Sequence, residues 1–275
     1  MTILDTIVAR KWEEVSTRKA AVSDEDLRNM PLFDRSVNSA RAAILAAGST
    51  GVISEFKRKS PSKGIINDRV DVAATTRGYV AAGAAVLSVL TDEPFFGGTP
   101  ADLQAARAAN PHTPILRKDF VVDAYQLLEA KAWGADLVLL IASCLTPDQV
   151  RSLSEFAHEL GMEVLLEVHD AEELQRSLCD TVDLIGVNNR NLKTFVTDID
   201  TSVRLATLIP DRFVKVTESG LYDAETMVQL HEVGYQAFLI GEAFMKTDDP
   251  ATALRQLMTD YSEQLVTSKN THQIV

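Results

Sequence analysis

The clearest pattern in the chain is a short apolar run that recurs eight times. Each run is rich in Val, Ile, Leu and Ala, and segments with the apolar spacing of a helix lie between the runs. Short continuous apolar runs are typical of strands that are buried on both faces, as in parallel sheets. The predicted strands are residues 51–54, 85–90, 114–116, 137–141, 163–166, 184–187, 213–216 and 237–240, and helical segments include residues 71–82, 124–133, 147–160 and 224–233.

Eight strand–helix units in one chain predict the α/β class and a closed parallel barrel, the (β/α)8 or TIM-barrel architecture. The alternative is an open doubly wound sheet, which usually carries a G-x-G-x-x-G turn after its first strand, and the sequence has none there. A chain of 275 residues is long enough for one large α/β domain. We therefore expect a single domain over residues 1–275, with the barrel over 49–266 and a polar tail over 267–275.

Residues 1–48 precede the first predicted strand and lie outside the eight units. Residues 34–47 predict a helix that ends at Gly48. We expect this N-terminal helical extension to cover or plug the barrel rather than to form a separate domain. A first helix is predicted from six apolar side chains on one helical face: Ile3, Leu4, Ile7, Val8, Trp12 and Val15.

Composition and charge argue against several classes of protein. The 27 Lys and Arg residues against 39 Asp and Glu give a net charge of −12, whereas a nucleic-acid-binding protein needs a basic face. An anionic substrate is still compatible with this negative net charge, since a local site can be basic. No apolar run approaches the ~18 residues of a membrane span, and the N-terminus, with Asp5, does not fit a signal peptide. Cys144 and Cys179 fit no metal or redox spacing, so we expect two reduced, packed thiols in a cytoplasmic protein.

Ionisable and polar residues follow most of the predicted strands, at the end where the active site of such a barrel gathers. The fourth strand, which ends near Ser143, is followed by little charge. Glu55 and Lys57 occupy alternate positions and therefore point to the same side of the chain. A candidate acid–base set follows from these strand ends: Lys57, Lys118, Glu55 and Glu167. The alternative is a salt-bridge network that only balances charge within the barrel mouth.

The last two strand ends have the small residues of a phosphate site. Their backbone N–H groups can approach an oxyanion where barrels commonly hold phosphate, and the candidates are Ser219, Gly220, Gly241 and Glu242, with Ser60 and Lys57 to complete the shell. Ser-Gly pairs also occur in ordinary turns, so one pair alone is not specific. Phe96 and Phe120 lie beside the polar strand ends, where they are either core aromatics or a surface that stacks on a flat aromatic substrate.

Five motifs in order along the chain resemble those of indole-3-glycerol phosphate synthase. They are SEFKRKSPSKG at residues 54–64, LRKDF at 116–120, LLEVH at 165–169, GVNNRNL at 186–192 and VTESG at 216–220. Each motif alone is weak, but the order, the spacing and the strand placement agree together. The resemblance covers nearly the whole chain, including the N-terminal helical extension.

The resemblance implies the reaction of that family, which closes the indole ring in tryptophan biosynthesis. The substrate 1-(2-carboxyphenylamino)-1-deoxyribulose 5-phosphate becomes indole-3-glycerol phosphate with release of CO₂ and water, without a metal or an organic cofactor. The resemblance also implies Lys118 as general acid on the substrate ketone and Glu167 as a second acid–base group. Lys57 would bind the substrate carboxylate, and the motifs leave open which lysine donates at which step.

The resemblance further implies which residues contact the substrate. The implied pocket residues are Glu55, Asn188, Arg190 and Glu218, and the implied phosphate ligands are Ser60, Ser219, Gly220 and Gly241. Glu242 stands where a small hydroxyl residue is expected in some relatives. If Glu242 contacts phosphate, it should do so through its backbone N–H, with the carboxylate turned away.

Two other classes of function stay open at this point. One is a different phosphate-binding barrel, such as a sugar-phosphate isomerase or an aldolase that forms a Schiff base through lysine. The other is a binding module for phosphometabolites without catalysis, although the acid–base set argues against it. For partners, we expect a small phosphorylated substrate, no nucleic acid, no membrane and a monomer, with contact to other tryptophan-pathway enzymes left open.

Overall fold

Strands and helices alternate along most of the chain. The computed structural model describes residues 2–192 and 194–272, with the backbone alone over 269–272. The strands are β1 (Val52–Phe56), β2 (Lys59–Ser60), β3 (Gly64–Ile65), β4 (Val86–Leu90), β5 (Ile115–Lys118), β6 (Leu137–Ile141), β7 (Glu163–Val168), β8 (Leu184–Asn188), β9 (Val214–Glu218) and β10 (Ala237–Ile240). The helices are α1 (Ile3–Ala21), α2 (Asp24–Arg28), α3 (Ala40–Leu45), α4 (Val72–Ala81), α5 (Glu93–Phe96), α6 (Pro100–Ala109), α7 (Tyr125–Trp133), α8 (Pro147–Glu159), α9 (Ala171–Ser177), α10 (Asp200–Ala206), α11 (Ala224–Glu232), α12 (Glu242–Met245) and α13 (Pro250–His272).

Eight strands of the described part of the chain close into a barrel in the order β1-β10-β9-β8-β7-β6-β5-β4. Neighbouring strands are parallel, and β1 pairs with both β4 and β10, which closes the sheet. The short strands β2 and β3 form an antiparallel pair in the loop after β1. The predicted (β/α)8 TIM barrel is therefore confirmed, while the β2–β3 pair has no counterpart in the apolar pattern.

Each predicted apolar run overlaps a barrel strand, but several strands continue past the run into polar residues. As a result Glu55, Lys118, Glu167 and Glu218 lie on strands β1, β5, β7 and β9 rather than in the loops. Parallel pairing continues to this end of the sheet, where Asn188 is the register partner of Glu218. Side chains on paired strands are held more precisely than side chains on loops, which suits a site that needs fixed geometry.

The apolar core has an inner and an outer part. The inner cluster fills the barrel with side chains from most strands, among them Ile53, Val86 and Leu116. The outer cluster lies between the strands and the helices and includes Val52 and Leu87. Neighbouring residues such as Val52 and Ile53 belong to different clusters because successive side chains of a strand point to opposite faces.

The N-terminal extension covers both ends of the barrel. Ala40 and Ile44 of α3 join the inner cluster, so this helix closes the barrel interior. The backbone N–H of Arg41 donates to Glu163 at the start of β7, which places α3 at the amino ends of the strands. At the other end, α1 contributes side chains to the cavity described below.

The helix predicted over residues 34–47 is too long. The observed helix α3 spans Ala40–Leu45 and starts after Ser39, whose hydroxyl accepts a hydrogen bond from the Ala42 N–H. The preceding segment is bound to the barrel instead, because the Asn38 N–H and the Arg35 guanidinium both donate to Asp136. Residues 34–39, which the spacing assigns to the helix, are therefore not helical.

Helix α1 buries a different set of side chains from the one predicted. Trp12, assigned to the buried face, is 45% exposed, whereas Lys11 is fully buried. Ile7, Lys11 and Val15 are the buried residues of α1, and they are spaced four residues apart, so they lie on one side of the helix.

Helix α13 continues to His272, so the start of the predicted polar tail is helical, and residues 273–275 lie outside the described residues. Within the described ranges, no helix combines the length and the apolar composition that a membrane span requires.

Candidate active site

One cavity at the carboxyl ends of the strands brings together every residue that the sequence predicts for the site. Its lining includes Glu55, Lys57, Ser60, Phe96, Lys118, Phe120, Glu167, Asn188, Arg190, Glu218, Ser219, Gly220, Gly241 and Glu242. Ile3, Leu4 and Ile7 of α1 line the same cavity, so the extension forms part of its wall. The arrangement agrees with the rule for barrels of this kind, in which the functional side chains gather at this face.

Lys118 lies at the centre of the charged residues. Its Nζ donates to Glu218 Oε2 at 2.7 Å and to Glu167 Oε2 at 3.1 Å. Burial lowers the pKa of Lys118, but the charges of Glu218 and Glu167 outweigh this effect and raise the pKa above its ordinary value. Lys118 is therefore an ammonium ion that faces the cavity and can donate a proton.

The two carboxylates that contact Lys118 differ in pKa. Burial and the nearby charge of Glu167 raise the pKa of Glu218 to about 7, although Lys118 acts in the opposite direction. Burial also acts to raise the pKa of Glu167, but Lys118, His169 and a hydrogen bond from Asn188 lower it overall. Near neutral pH, the Glu218 carboxyl group therefore holds a proton for part of the time, whereas the Glu167 carboxylate is ionised. Such a separation is typical of an acid and a base in one site.

Glu55 and Lys57 form a second charged pair at the end of β1. Lys57 Nζ lies 2.6 Å from Glu55 Oε1, and the Glu55 side chain is buried. Gly241 packs directly against Glu55, and a Cβ atom at this position would lie 2.5 Å from Glu55 Oε1. Glycine at residue 241 therefore leaves the room that the Glu55 carboxylate occupies.

Phe96 and Phe120 form an aromatic wall of the cavity. Their ring centroids are 5.9 Å apart and the ring planes are tilted by 38°. Asp92 caps helix α5, which carries Phe96, by accepting a hydrogen bond from the Phe95 N–H. Both rings line the cavity, as Lys118 does, so they present an apolar surface that a flat ring can contact.

Ser219 and Gly220 have an unusual backbone conformation at the end of β9. Their φ angles are 68° and 81°, and the left-handed region is uncommon for a serine. Asn189 holds this turn, since its Nδ2 donates to the Ser219 carbonyl oxygen at 3.1 Å and to Thr217 Oγ1 at 3.1 Å. Strained turns held by buried side chains are common at ligand sites. The predicted phosphate cradle therefore has a structural support that the sequence did not indicate.

Glu242 uses its carboxylate for contacts within the protein. Oε2 accepts a hydrogen bond from Arg190 at 3.3 Å, and Oε1 accepts one from the Tyr222 hydroxyl at 3.2 Å. Lys63 Nζ lies 3.8 Å from Oε1. These contacts occupy both carboxylate oxygens and leave the backbone N–H as the group through which Glu242 can contact an anion.

Lys11 is a site-forming residue that sequence reasoning missed. Its Nζ lies 2.9 Å from Asp92 and 2.9 Å from Asp119, so it joins α1 to the start of helix α5, which carries Phe96, and to the segment after β5, which carries Phe120. Burial lowers the pKa of Lys11, but the charges of Asp119 and Asp92 raise it overall. Its spacing of four residues from both Ile7 and Val15 places Lys11 on the apolar face of α1, and this signal was available in the sequence.

The cysteines contribute no nucleophile to the site. Burial and the charges of Glu167 and Glu173 raise the pKa of Cys144 to about 12, which keeps its thiol protonated. Cys179 lies 3.5 Å from the hydroxyls of Ser154 and Thr181, and both cysteines are free thiols. Among the described residues, no three His, Cys, Asp or Glu side chains are arranged to hold a metal ion.

Comparisons of the sequence with known proteins give a consistent result. A family model described as indole-3-glycerol phosphate synthase matches residues 4–257. A Bacteroides thetaiotaomicron protein named indole-3-glycerol phosphate synthase is 48% identical over 259 residues, which cover 93% of this chain and 97% of that protein. A Bordetella pertussis protein of the same name is 45% identical over 93% of this chain and 98% of its own length.

Comparisons of the structure with solved structures show the same fold. The structure of 3-hexulose-6-phosphate synthase from Salmonella typhimurium gives a TM-score of 0.61 at 15% identity, over 78% of this chain and 99% of that one. The structure of KGPDC from Streptococcus mutans gives a TM-score of 0.59 at 15% identity, over 77% of this chain and 97% of that one. At such low identity, this likeness is evidence for the barrel alone.

Proposed function

The chain belongs to the indole-3-glycerol phosphate synthase family, whose members are carboxy-lyases of tryptophan biosynthesis, and from that premise we propose that it closes the indole ring by general acid–base catalysis with lysine and glutamate. The substrate is 1-(2-carboxyphenylamino)-1-deoxyribulose 5-phosphate and the products are indole-3-glycerol phosphate, CO₂ and water. The observation that carries this proposal is the Lys118 ammonium between Glu167 and Glu218.

The charge state of Lys118 supports an acid rather than a nucleophile. A lysine that forms a Schiff base needs a lowered pKa so that its amine is free to attack a carbonyl. The neighbouring carboxylates Glu218 and Glu167 instead raise the pKa of Lys118. The geometry therefore favours ring closure with Lys118 as proton donor over the alternative of a Schiff-base aldolase.

The substrate has a phosphate at one end and a benzoate at the other, and the cavity has a matching set of groups. The phosphate would accept hydrogen bonds from the backbone at Ser219, Gly220 and Gly241, with Ser60 in the lining of the same cavity. The aromatic ring would lie against Phe96 and Phe120. This placement brings the ketone, between the two ends, towards Lys118.

Ring closure joins a ring carbon of the substrate to its ketone carbon. The ring carbon that bears the carboxylate attacks the ketone, and Lys118 donates a proton to the oxygen as it becomes a hydroxyl. The carboxylate, held beside Lys57, then leaves as CO₂, and its bonding electrons restore the benzene ring. Arg190 and Asn188 line the same cavity and would orient the substrate.

Dehydration completes the indole. A lysine donates a proton to the departing hydroxyl, and a base removes a proton from the neighbouring carbon so that the second ring becomes aromatic. Glu167 is suited to this base role, because its pKa is lowered and the carboxylate is ionised at neutral pH. Glu218, with a pKa of about 7, is suited to return a proton to Lys118, with which it shares a hydrogen bond.

The proposal is tested by mixing the purified protein with the carboxyphenylamino substrate and following the absorbance of the indole product. Formation of indole-3-glycerol phosphate, with no covalent adduct when borohydride is present, is the expected result. Borohydride-dependent covalent attachment of the substrate, or binding of the substrate without turnover, would contradict the proposal.

A further inference from the structure

Glu167 has a third charged neighbour that the proposed mechanism does not use. Its Oε2 accepts the hydrogen bond from Lys118, whereas its Oε1 faces the imidazole of His169, with Nε2 3.5 Å away. The other ring nitrogen of His169, Nδ1, lies 3.1 Å from Glu173 Oε2. The three side chains therefore form a line of carboxylate, imidazole and carboxylate that ends at the acid–base pair.

Glu173 fixes how the His169 ring is turned. Glu173 Oε2 also accepts a hydrogen bond from the His169 backbone N–H at 2.8 Å, so the same oxygen contacts both the backbone and the ring of His169. A carboxylate only accepts hydrogen bonds, which places a proton on Nδ1 and turns Nε2 towards Glu167. Nε2 is buried and has no hydrogen-bond partner in the described part of the chain. A buried ring nitrogen without a partner calls for a functional explanation.

The surroundings of His169 favour the charged imidazolium. Burial lowers the pKa of His169, but the hydrogen bond to Glu173 and the charge of Glu167 raise it overall. Glu218 acts in the same direction from β9. Two further titratable groups lie nearby: Lys118 is held on the far oxygen of Glu167, and the thiol of Cys144 stays neutral.

We propose that His169 is a positioning residue for Glu167: its imidazolium, oriented by Glu173, keeps the Glu167 carboxylate ionised and directed towards Lys118. The inference rests on the proposed function in one respect, the role of Glu167 as an acid–base group. The arrangement follows a general rule of active sites, in which the base is oriented by a further hydrogen-bonded group behind it. His169 itself does not line the cavity, so it acts through Glu167.

The proposal has a signature in the pH dependence of the reaction. The charge on His169 is present below its pKa and is lost as the pH rises through that value. Without this charge, Glu167 has a higher pKa, and a smaller fraction of it is ionised at low pH. Replacement of His169 should therefore reduce activity at low pH and have little effect well above the pKa of His169.

The first experiment compares kcat/KM of the wild-type protein and of His169→Asn between pH 4 and 9.5, because the pKa of Glu167 lies below the ordinary 4.5. We expect the acid limb of the profile to move up by about one pH unit in the variant, which is at most a tenfold loss at low pH. Glu173→Gln should move the same limb in the same direction by less. The control is His158→Asn on α8, which removes another histidine that contacts a carboxylate, that of Asp183, and its profile should match the wild type. A loss in His169→Asn that is the same at every pH would overturn the proposal.

The second experiment does not depend on turnover. An NMR titration of the His169 ring is expected to give a pKa that falls by at least about half a unit in Glu167→Gln and in Glu173→Gln. An unchanged pKa in both variants would overturn the proposal even if the enzyme is active. If the wild-type protein forms no indole product, the proposed function fails, whereas the coupling of His169 to Glu167 is still decided by this titration. If His169→Asn does not fold, Glu173→Gln alone decides the activity experiment.

Discussion

Lys118 and Glu218 are 100 residues apart in the chain, yet Lys118 Nζ and Glu218 Oε2 lie 2.7 Å apart across the barrel mouth. The contact joins β5 to β9, strands that are not neighbours in the sheet. It places a cation beside a carboxyl group whose pKa is about 7 because of its burial.

Lys118→Met should nearly abolish turnover while the protein stays folded. The variant keeps most of the side-chain volume but cannot donate a proton, and the loss of a general acid commonly lowers kcat by about 10² to 10⁴. The measurement is steady-state kinetics with circular dichroism on the same preparation. Lys131→Met is the matched control, because Lys131 binds the Arg35 carbonyl oxygen away from the cavity. A Lys118→Met variant with more than about a third of wild-type kcat would show that Lys118 is not the acid.

Glu167→Gln separates a proton-handling residue from a structural carboxylate. Glutamine keeps the shape and most of the hydrogen-bonding capacity but cannot exchange a proton, so we expect kcat to fall by about 10² or more with KM little changed. The exposed Glu172→Gln serves as control. If Glu167 only braces Lys118, the Gln variant would be nearly fully active and less stable, and the assignment would then be wrong.

Glu218→Gln should stabilise the protein at high pH but not at low pH. The folded-state pKa of about 7 is raised from the ordinary 4.5, so the folded state binds more protons than the unfolded state between these values. Stability is therefore lost as the pH rises from about 4.5 to 7, by on the order of 3 kcal/mol if the whole shift is realised.

The measurement is the free energy of unfolding of both proteins at pH 4.5 and pH 8. Glutamine does not titrate at residue 218. The free energy of unfolding of the variant, relative to that of the wild type, should therefore increase as the pH rises. Glu155→Gln, an exposed glutamate on α8, should show no such trend. Parallel stability curves for wild type and Glu218→Gln would contradict the raised pKa.

Gly220→Ala should raise KM with a smaller effect on kcat, because phosphate binding is remote from the bonds that change. Residue 220 has a φ of +81°, and an added Cβ would lie 2.6 Å from Thr197 Cγ2, so the turn must shift. Gly161→Ala is a close control, since residue 161 has a φ of +77° and no atom within 4 Å of the added Cβ.

Inorganic sulfate provides a second measurement on the same site. It should inhibit the wild type in competition with the substrate, and inhibit Gly220→Ala less strongly. Equal KM values for Gly220→Ala and Gly161→Ala would argue that the phosphate lies elsewhere.

Lys11→Met should be strongly destabilising although it changes a residue of the N-terminal extension. The substitution leaves Asp92 and Asp119 without their shared cation in a buried site, and removal of one partner from such a cluster typically costs about 3–5 kcal/mol. Lys19→Met on the same helix breaks the partly exposed pair with Asp123 and the contact of Lys19 Nζ with the Tyr125 ring, and it should cost about 1 kcal/mol or less. Equal unfolding midpoints for the two variants would show that the Lys11 cluster does not hold α1 to the barrel.

The sequence determined the barrel and the end of it that carries the site. Eight apolar runs separated by helical spacing are incompatible with a half-exposed sheet, because strands with apolar residues on both faces must be covered on both sides. In a parallel barrel all strands end at the same face, so the polar residues that follow them had to meet. For this reason the residues from Glu55 to Glu242 could be assigned to one cavity from their positions in the chain.

Only the tertiary structure decided how these residues pair and which charges they carry. At the end of β5, Lys118 faces the cavity, while Arg117 before it and Asp119 just after the strand form a buried ion pair. The separation of the Glu167 and Glu218 pKa values, the support of Ser219 by Asn189 and the line from Glu167 to Glu173 all join separate parts of the chain. Desolvation and charge interactions depend on distances of a few ångströms in space, and these distances are fixed only when the barrel closes.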